Sequence, residues 1–315
     1  MGMKVSVRAT LMLLTTAIIW GFAFVAQVLG GDCVGAFTFN GCRFLMGGIG
    51  LIPVYLLFEK KTASTKEDWS KKQKSTLIAA VGGGVALFFA SSLQQLGATM
   101  TRDPGTAGFL TGLYTLLTPI LYLIIFKKKS PWNTWVGVVF AIVGLYLLCL
   151  SDGGSFSMGT GEILLLIGSF FWAAHILMID RFIHEISPLR FSSWQFLVCG
   201  GLAAAVALFT ETVTWEGLMA GKWAILYCGI LSAGVAYTMQ TLGQKYAPPT
   251  YAAIVLSTES VFAAVGGLLW NLIAPATLRV DQDILPLGYV GCAVIFMGIF
   301  LSQVDLSHWR KNKTP

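Results

Sequence analysis

The chain has 315 residues, of which 56% are hydrophobic and only 11% charged, with a mean hydropathy of +0.73. Soluble domains carry about 25% charged residues, so this composition excludes a water-facing surface and leaves no room for a sizeable soluble domain. The net charge of +6 sits in short loops between apolar runs. It therefore reads as a topology signal rather than as a nucleic-acid surface, and no nucleic-acid partner is expected.

A helix needs about 20 apolar residues to cross a bilayer. Ten candidate spans are predicted, at about 9–29, 37–58, 75–96, 106–126, 132–150, 162–183, 191–210, 223–244, 250–270 and 284–304. The first follows Lys4 and Arg8 and exceeds a signal-peptide core of about 7–15 residues, so it reads as an uncleaved span. The second carries Arg43 on a face with Asn40, Gly47 and Gly50. The third holds Ser91, Gln94 and Gln95. The fourth holds Thr111, Tyr114, Thr115 and Thr118, with Pro119 placed to kink it. Trp172 and His175 lie in the sixth, Tyr237, Gln240 and Gln244 in the eighth, and Glu259 near the middle of the ninth.

Lys and Arg concentrate at the N-terminus, in the 59–74 loop, at Lys127–Lys129, Arg181, Arg190 and Lys245, and in the C-terminal tail. The opposite side holds Arg102, Lys222 and Arg279. The positive-inside rule then predicts cytoplasmic termini, which an even number of spans permits. The six cysteines are scattered and show no CxxC spacing, so neither a metal site nor a disulfide framework is indicated, and no cofactor is expected.

The halves resemble each other. At an offset of 152, TTAIIWGFA (15–23) falls on IGSFFWAAH (167–175), matching Trp20 with Trp172, and RFL (43–45) falls on QFL (195–197). At 154, WVGVVFAIVGLYL (135–147) falls on YVGCAVIFMGIFL (289–301). At 146, LQQLG (93–97) falls on MQTLG (239–243). The fourth and ninth spans align poorly. Five spans per half make the second half enter the membrane from the opposite side, which is the inverted repeat of alternating-access transporters. The expected division is 1–150 and 151–315.

In order along the chain, TTAIIWGFAFV, FNGCRFLMGG, LQQLGATMTRDPGTAGFLTGLYTLLTPIL and LGQKYAPPTYAAIVLSTESVFAAVGGLL resemble the drug/metabolite transporter superfamily, most closely its bacterial ten-helix EamA branch. The resemblance covers about Leu11 to Leu301. It implies an all-α membrane fold of two inverted five-helix repeats, a central substrate cavity, and transport, often outward, of amino acids or other small metabolites. It also implies a bacterial cytoplasmic membrane location. The chain departs from the family where Ser260 follows the acid in place of proline, and where the ninth span ends in Trp270 and Asn271 before a long outer loop.

The candidate cavity residues are Trp20, Gln27, Arg43, Gln95, Thr111, Tyr114, Thr115, Trp172, His175, Tyr237, Gln240 and Glu259. An ionisable group at mid-membrane costs about 2.5–3.5 kcal/mol on insertion scales. Glu259 lies about 14 Å from the inner end of its span, on a face with Ala252, Ala263 and Gly266. It either exchanges a proton or meets a substrate ammonium, or it is a structural acid hydrogen-bonded to a neighbouring helix. Arg43 either holds a substrate carboxylate, pairs with Glu259, or locks the fold. His175 is the second candidate for proton coupling, or a neutral hydrogen-bonding residue. Trp20 and Trp172 either wall the cavity or simply pack.

No HExxH, GxSxG or P-loop is present, so neither an enzyme nor an ATP-driven pump is expected. The expected function is secondary transport of a small-molecule substrate by alternating access, with proton coupling or passive uniport both open. An intramembrane lipid-modifying enzyme is the reading from another class. Membrane lipid is the other expected partner, and the chain is expected to be a monomer or homodimer.

Overall fold

The computed structural model describes residues 6–58, 66–149, 159–282 and 286–303. Among these residues every regular element is helical: α1 (Val7–Gly31), α2 (Ala36–Phe58), α3 (Lys66–Thr101), α4 (Pro104–Gly112), α5 (Tyr114–Phe126), α6 (Trp132–Cys149), α7 (Thr160–Phe182), α8 (Pro188–Thr210), short α9 (Trp215–Ala220), α10 (Lys222–Leu226), a π-helical stretch (Tyr227–Tyr237), α11 (Thr238–Gln244), α12 (Pro249–Leu256), α13 (Glu259–Ile273) and α14 (Pro286–Gln303). Eight segments are long and apolar enough to cross a membrane, and Trp132–Leu147 and Pro286–Ser302 are shorter apolar helices. Together they make the ten-helix architecture. The expected 150/151 division, Lys4, Lys60, Lys61 and the basic tail lie outside the described residues.

Burial is inverted relative to a soluble protein, as a bilayer solvent requires. Phe209 is 90% exposed, whereas Gln95, His175 and Gln195 are fully buried. Buried polar groups thus share the interior with Phe24, Phe44 and Phe196, while many large apolar side chains face outward.

Reciprocal contacts show the repeat. An added Cβ at Gly48 would lie 3.0 Å from Leu197, and one at Gly200 would lie 2.7 Å from the Leu45 backbone. Leu45 and Leu197, and Gly48 and Gly200, are each related by the 152-residue offset. The last spans of the two halves, α6 and α14, close on each other the same way. A Cβ at Gly137 would meet Gly298 O at 2.9 Å, and one at Gly144 would meet Gly291 O at 2.6 Å. Small residues let the backbones approach, which is how membrane helices gain packing energy where lipid supplies no hydrophobic force.

Three expected spans are not continuous α-helices. The ninth breaks at Ser257–Thr258, between α12 and α13. Its sequence STES supplies the cause. Ser257 Oγ donates to Ile254 O (2.8 Å), Thr258 Oγ1 to Val255 O (2.7 Å) and Ser260 Oγ to Ser257 O (2.6 Å), while backbone bonds shift to i−3, as in Val261 N to Thr258 O (3.0 Å). Hydroxyls that compete for helix carbonyls satisfy in place what the break sets free. The fourth span breaks at Leu113, whose N–H reaches Leu110 O at 3.4 Å. The break therefore precedes Pro119, which lies inside α5, and is not a kink at the proline itself. Thus the fourth and ninth spans, which align poorly in sequence, share the same mid-span interruption.

The eighth span carries the π-helical stretch. Its counterpart α3 has none. Gly84 packs on Gln195 O and Val198 as Gly229 packs on Arg43 O and Met46, so Gly84 and Gly229 are equivalent. Gln94 and Gln240 are equivalent by the 146 offset. One more residue separates Gly229 from Gln240 than Gly84 from Gln94. A single extra residue in a helix is accommodated by widening it to π geometry. The carbonyls this frees are taken up by α1: Trp20 Nε1 donates to Ser232 O (3.3 Å) and Thr16 Oγ1 to Ala236 O (3.0 Å).

Residues 274–282 fold back over one end of the bundle. Asn271 Nδ2 donates to Val280 O (2.8 Å) and Gln282 O (3.2 Å), and its Oδ1 accepts from Val280 N (2.9 Å). Trp270 Nε1 donates to Leu278 O (2.8 Å), and Gln282 Oε1 accepts from Gly105 N (2.5 Å). Trp270 and Asn271, which stand near the end of α13, are the residues that fasten this strap.

Candidate functional site

A cavity lies where the helices converge. α1 contributes Trp20, Ala23, Phe24 and Gln27; α2 contributes Arg43; α3 Gln94; α5 Tyr114; α7 Trp172 and Ile176. The eighth span contributes Ser232, Tyr237 and Gln240, and α13 contributes Glu259. Its free volume is about 20 Å³. A water needs about 10–15 Å³, so the walls are closed down to the size of a water or two.

The two broken spans place two of these groups. Tyr114 is the first residue of α5 and Glu259 the first of α13. Glu259 therefore sits at the positive end of a half-helix, where a carboxylate is favoured. Tyr114 lies beside it, with its hydroxyl against the Glu259 carboxylate. Helix α1 seals the other side at Gly21, where an added Cβ would lie 2.7 Å from Glu259 O.

Arg43 is 2% exposed. Its guanidinium lies over the rings of Phe44 (4.6 Å) and Phe39 (5.6 Å), and Nε donates to Asn40 Oδ1 at 2.8 Å. Nη2 has no partner. No ion pair joins Arg43 to Glu259 among the described residues; Tyr237 interacts electrostatically with both. The aromatic wall is continuous: Trp20 and Trp172 stand 6.0 Å apart, and Tyr237 lies 4.5 Å from Trp20 and 6.1 Å from Trp172. Gln27 Oε1, Gln240 Oε1 and Trp172 Nε1 are also buried without a protein partner. A buried polar group left unpaired costs about 1–3 kcal/mol, so these atoms can take a hydrogen bond from or to a molecule in the cavity, water included.

Eight of the residues singled out from sequence are brought together here: Trp20, Gln27, Arg43, Tyr114, Trp172, Tyr237, Gln240 and Glu259. Four are not. Gln95 Nε2 turns to Gln27 O (2.8 Å), Thr111 Oγ1 accepts from Gln94 Nε2 (3.3 Å), Thr115 Oγ1 donates to Ala253 O (2.9 Å), and His175 Nε2 lies 2.9 Å from Gln195 Oε1. Sequence reasoning preferred Gln95 to its neighbour Gln94 and passed over Phe24, Ile176 and Ser232. The repeat carried the missing signal: Gln94 falls on Gln240, and Phe24 on Ile176.

A larger groove of about 540 Å³ lies on the opposite face of α1, between α10 and α13. It is lined by apolar and small side chains apart from Asp32 and Cys33. Without convergent polar groups it offers nothing to orient a polar ligand.

The EamA-like transporter family matches the chain twice, at residues 7–150 and 159–304. An uncharacterized transporter of Archaeoglobus fulgidus is 27% identical over 293 residues, 93% of this chain and 85% of that one. The uncharacterized inner membrane transporter YedA of Escherichia coli is 27% identical over 157 residues, 50% of this chain and 48% of that one. A solved crystal structure superposes with a TM-score of 0.72 over 98% of both chains at 17% identity, a likeness of fold alone. A chain with this family match and this bundle is a multi-pass membrane transporter, and it belongs to the EamA-like transporter family.

Proposed function

We propose that the chain is a secondary transporter that exports small zwitterionic or polar metabolites, amino acids among them, by alternating access around this cavity. The supporting observation is the pair Arg43 and Glu259: one basic and one acidic group, both buried, that line one cavity without an ion pair between them. A substrate carrying a carboxylate and an ammonium completes both, and the aromatic wall between them takes its apolar part. The closed walls fit an occluded stage of the cycle. Entry and exit then require the halves to rock, with the breaks at Leu113 and Ser257–Thr258 supplying the compliant points. Glu259 is the group proposed to exchange a proton with the substrate.

The test is reconstitution into vesicles with a panel of labelled amino acids. Saturable transport without ATP supports the reading, and its absence across the panel counts against it. For proton coupling, Glu259→Gln is expected to abolish transport driven by a pH gradient, while substrate exchange persists with a raised KM. Equal pH-driven transport in both proteins refutes the coupling, and protonophore-insensitive transport by the wild type identifies a uniporter.

A further inference from the structure

The repeat supplies a control for each cavity residue, namely its counterpart in the other half. Trp20 faces Trp172, Phe24 and Ile176 are related by the same offset, and Gln94 is matched by Gln240. All six line the cavity. The relation fails elsewhere, as at Gln27, whose counterpart Ile179 lies outside the lining, and at Arg43. Its counterpart Gln195 is fully buried and does not reach the cavity.

The reason stands one helix away. Ala23 of α1 lines the same cavity as Arg43. The 152 offset puts His175 in the equivalent place. The imidazole is fully buried, with Nε2 2.9 Å from Gln195 Oε1. It meets the rings of Trp172 and Tyr237 edge-on, each at 6.1 Å. Its Nδ1 and the Gln195 Nε2 have no protein partner. So the space that leads to Arg43 in the first half is filled by a side chain in the second.

We propose that His175 is a specificity-determining plug. It closes the second-half counterpart of the Arg43 lobe and keeps the Gln195 amide from the substrate, so the cavity has one charged lobe rather than two polar ones. Its role is to occupy volume. Its bearing on selectivity rests on the reading that this cavity takes the substrate. Removing the imidazole leaves a lobe walled by two aromatic rings and an amide, which suits a small planar molecule that both donates and accepts hydrogen bonds.

The test uses the full chain in detergent, with imidazole as the probe, because a side-chain deletion leaves a cavity that a molecule of the lost shape can fill. His175→Ala is expected to gain thermal stability with millimolar imidazole while the wild type does not, and Gln195→Leu in the same background is expected to remove the gain. His175→Ser carries the same test should His175→Ala not fold. No stabilisation of either variant, or equal stabilisation of the wild type, overturns the proposal. This arm needs no transport, so it is independent of the transport reading. In vesicles, His175→Ala is expected to shift the ratio of phenylalanine to serine transport by about tenfold or more toward the bulkier substrate. Ala23→His, which builds the plug on the other side, is expected to raise the KM for either amino acid about tenfold, as Arg43→Gln does. An unchanged ratio together with an unchanged KM overturns the proposal even where transport proceeds as described above.

Discussion

Tyr114 and Glu259 each open the second half of an interrupted span, and the two stand side by side in one cavity. They occupy matching positions in the two repeats although their stretches align poorly in sequence. Interrupting both spans at this depth presents two half-helix N-termini to the cavity. That is a favourable environment for a carboxylate or for an anionic substrate group.

The Tyr114 hydroxyl is buried beside the Glu259 carboxylate. Tyr114→Phe is expected to change stability by no more than about 1.5 kcal/mol, the net worth of one intramolecular hydrogen bond. Substrate affinity is expected to fall roughly tenfold, the worth of one charge-assisted bond. A thermal melt and a transport KM measured on the same preparation check both parts.

Gly21 is the contact between α1 and the start of α13. A Cβ added there would lie 2.3 Å from Phe262 Cβ and 2.7 Å from Glu259 O. Gly21→Ala is expected to destabilise the fold by about 1–3 kcal/mol through overpacking and to impair transport by displacing the Glu259 backbone. Gly201 has no neighbour within 4 Å of an added Cβ, and Gly201→Ala is the matched control expected to do neither. Equal melting temperatures for the two variants would contradict the assignment.

The strap depends on Asn271, which makes three hydrogen bonds to it. Each contributes about 0.5–1.5 kcal/mol, so Asn271→Ala is expected to raise the open population at least tenfold. Arg279 is exposed within the strap. The readout is trypsin cleavage after Arg279, expected to be at least tenfold faster in the variant and, if this end faces outward, to occur in intact cells.

Cys33 lies just beyond α1 at the strap end. Burial first, and the neighbouring Asp32 carboxylate second, push its thiol above the ordinary cysteine range. A raised value means less thiolate at a given pH. Labelling of the detergent-solubilised protein by a maleimide is therefore expected to be slow at pH 7 and to accelerate as the pH rises, continuing to higher pH than for an unperturbed cysteine. Rapid, pH-independent labelling would contradict this environment.

The spans were legible because a bilayer imposes a length and a composition that few other structures share. The repeat was legible because small residues at fixed offsets mark where backbones touch, as Gly137 and Gly291 or Gly144 and Gly298 do. The breaks were not legible. Ser257, Thr258 and Ser260 are compatible with a continuous helix, and only the resulting hydrogen bonds reveal that they end one. Gln94 and Gln95 differ by a rotation of about 100° on one helix, which apolar patterning cannot resolve in a span that is hydrophobic on every side. The depth of His175 was readable, but its pairing with Gln195 is set by how α7 and α8 meet.

The most direct measurement is transport of a zwitterionic amino acid by reconstituted wild type, Arg43→Gln and Glu259→Gln in exchange mode, with KM determined for each. The account predicts that the KM rises by about tenfold or more in both variants, while both remain folded. Two folded variants that exchange the substrate with the wild-type KM would contradict it.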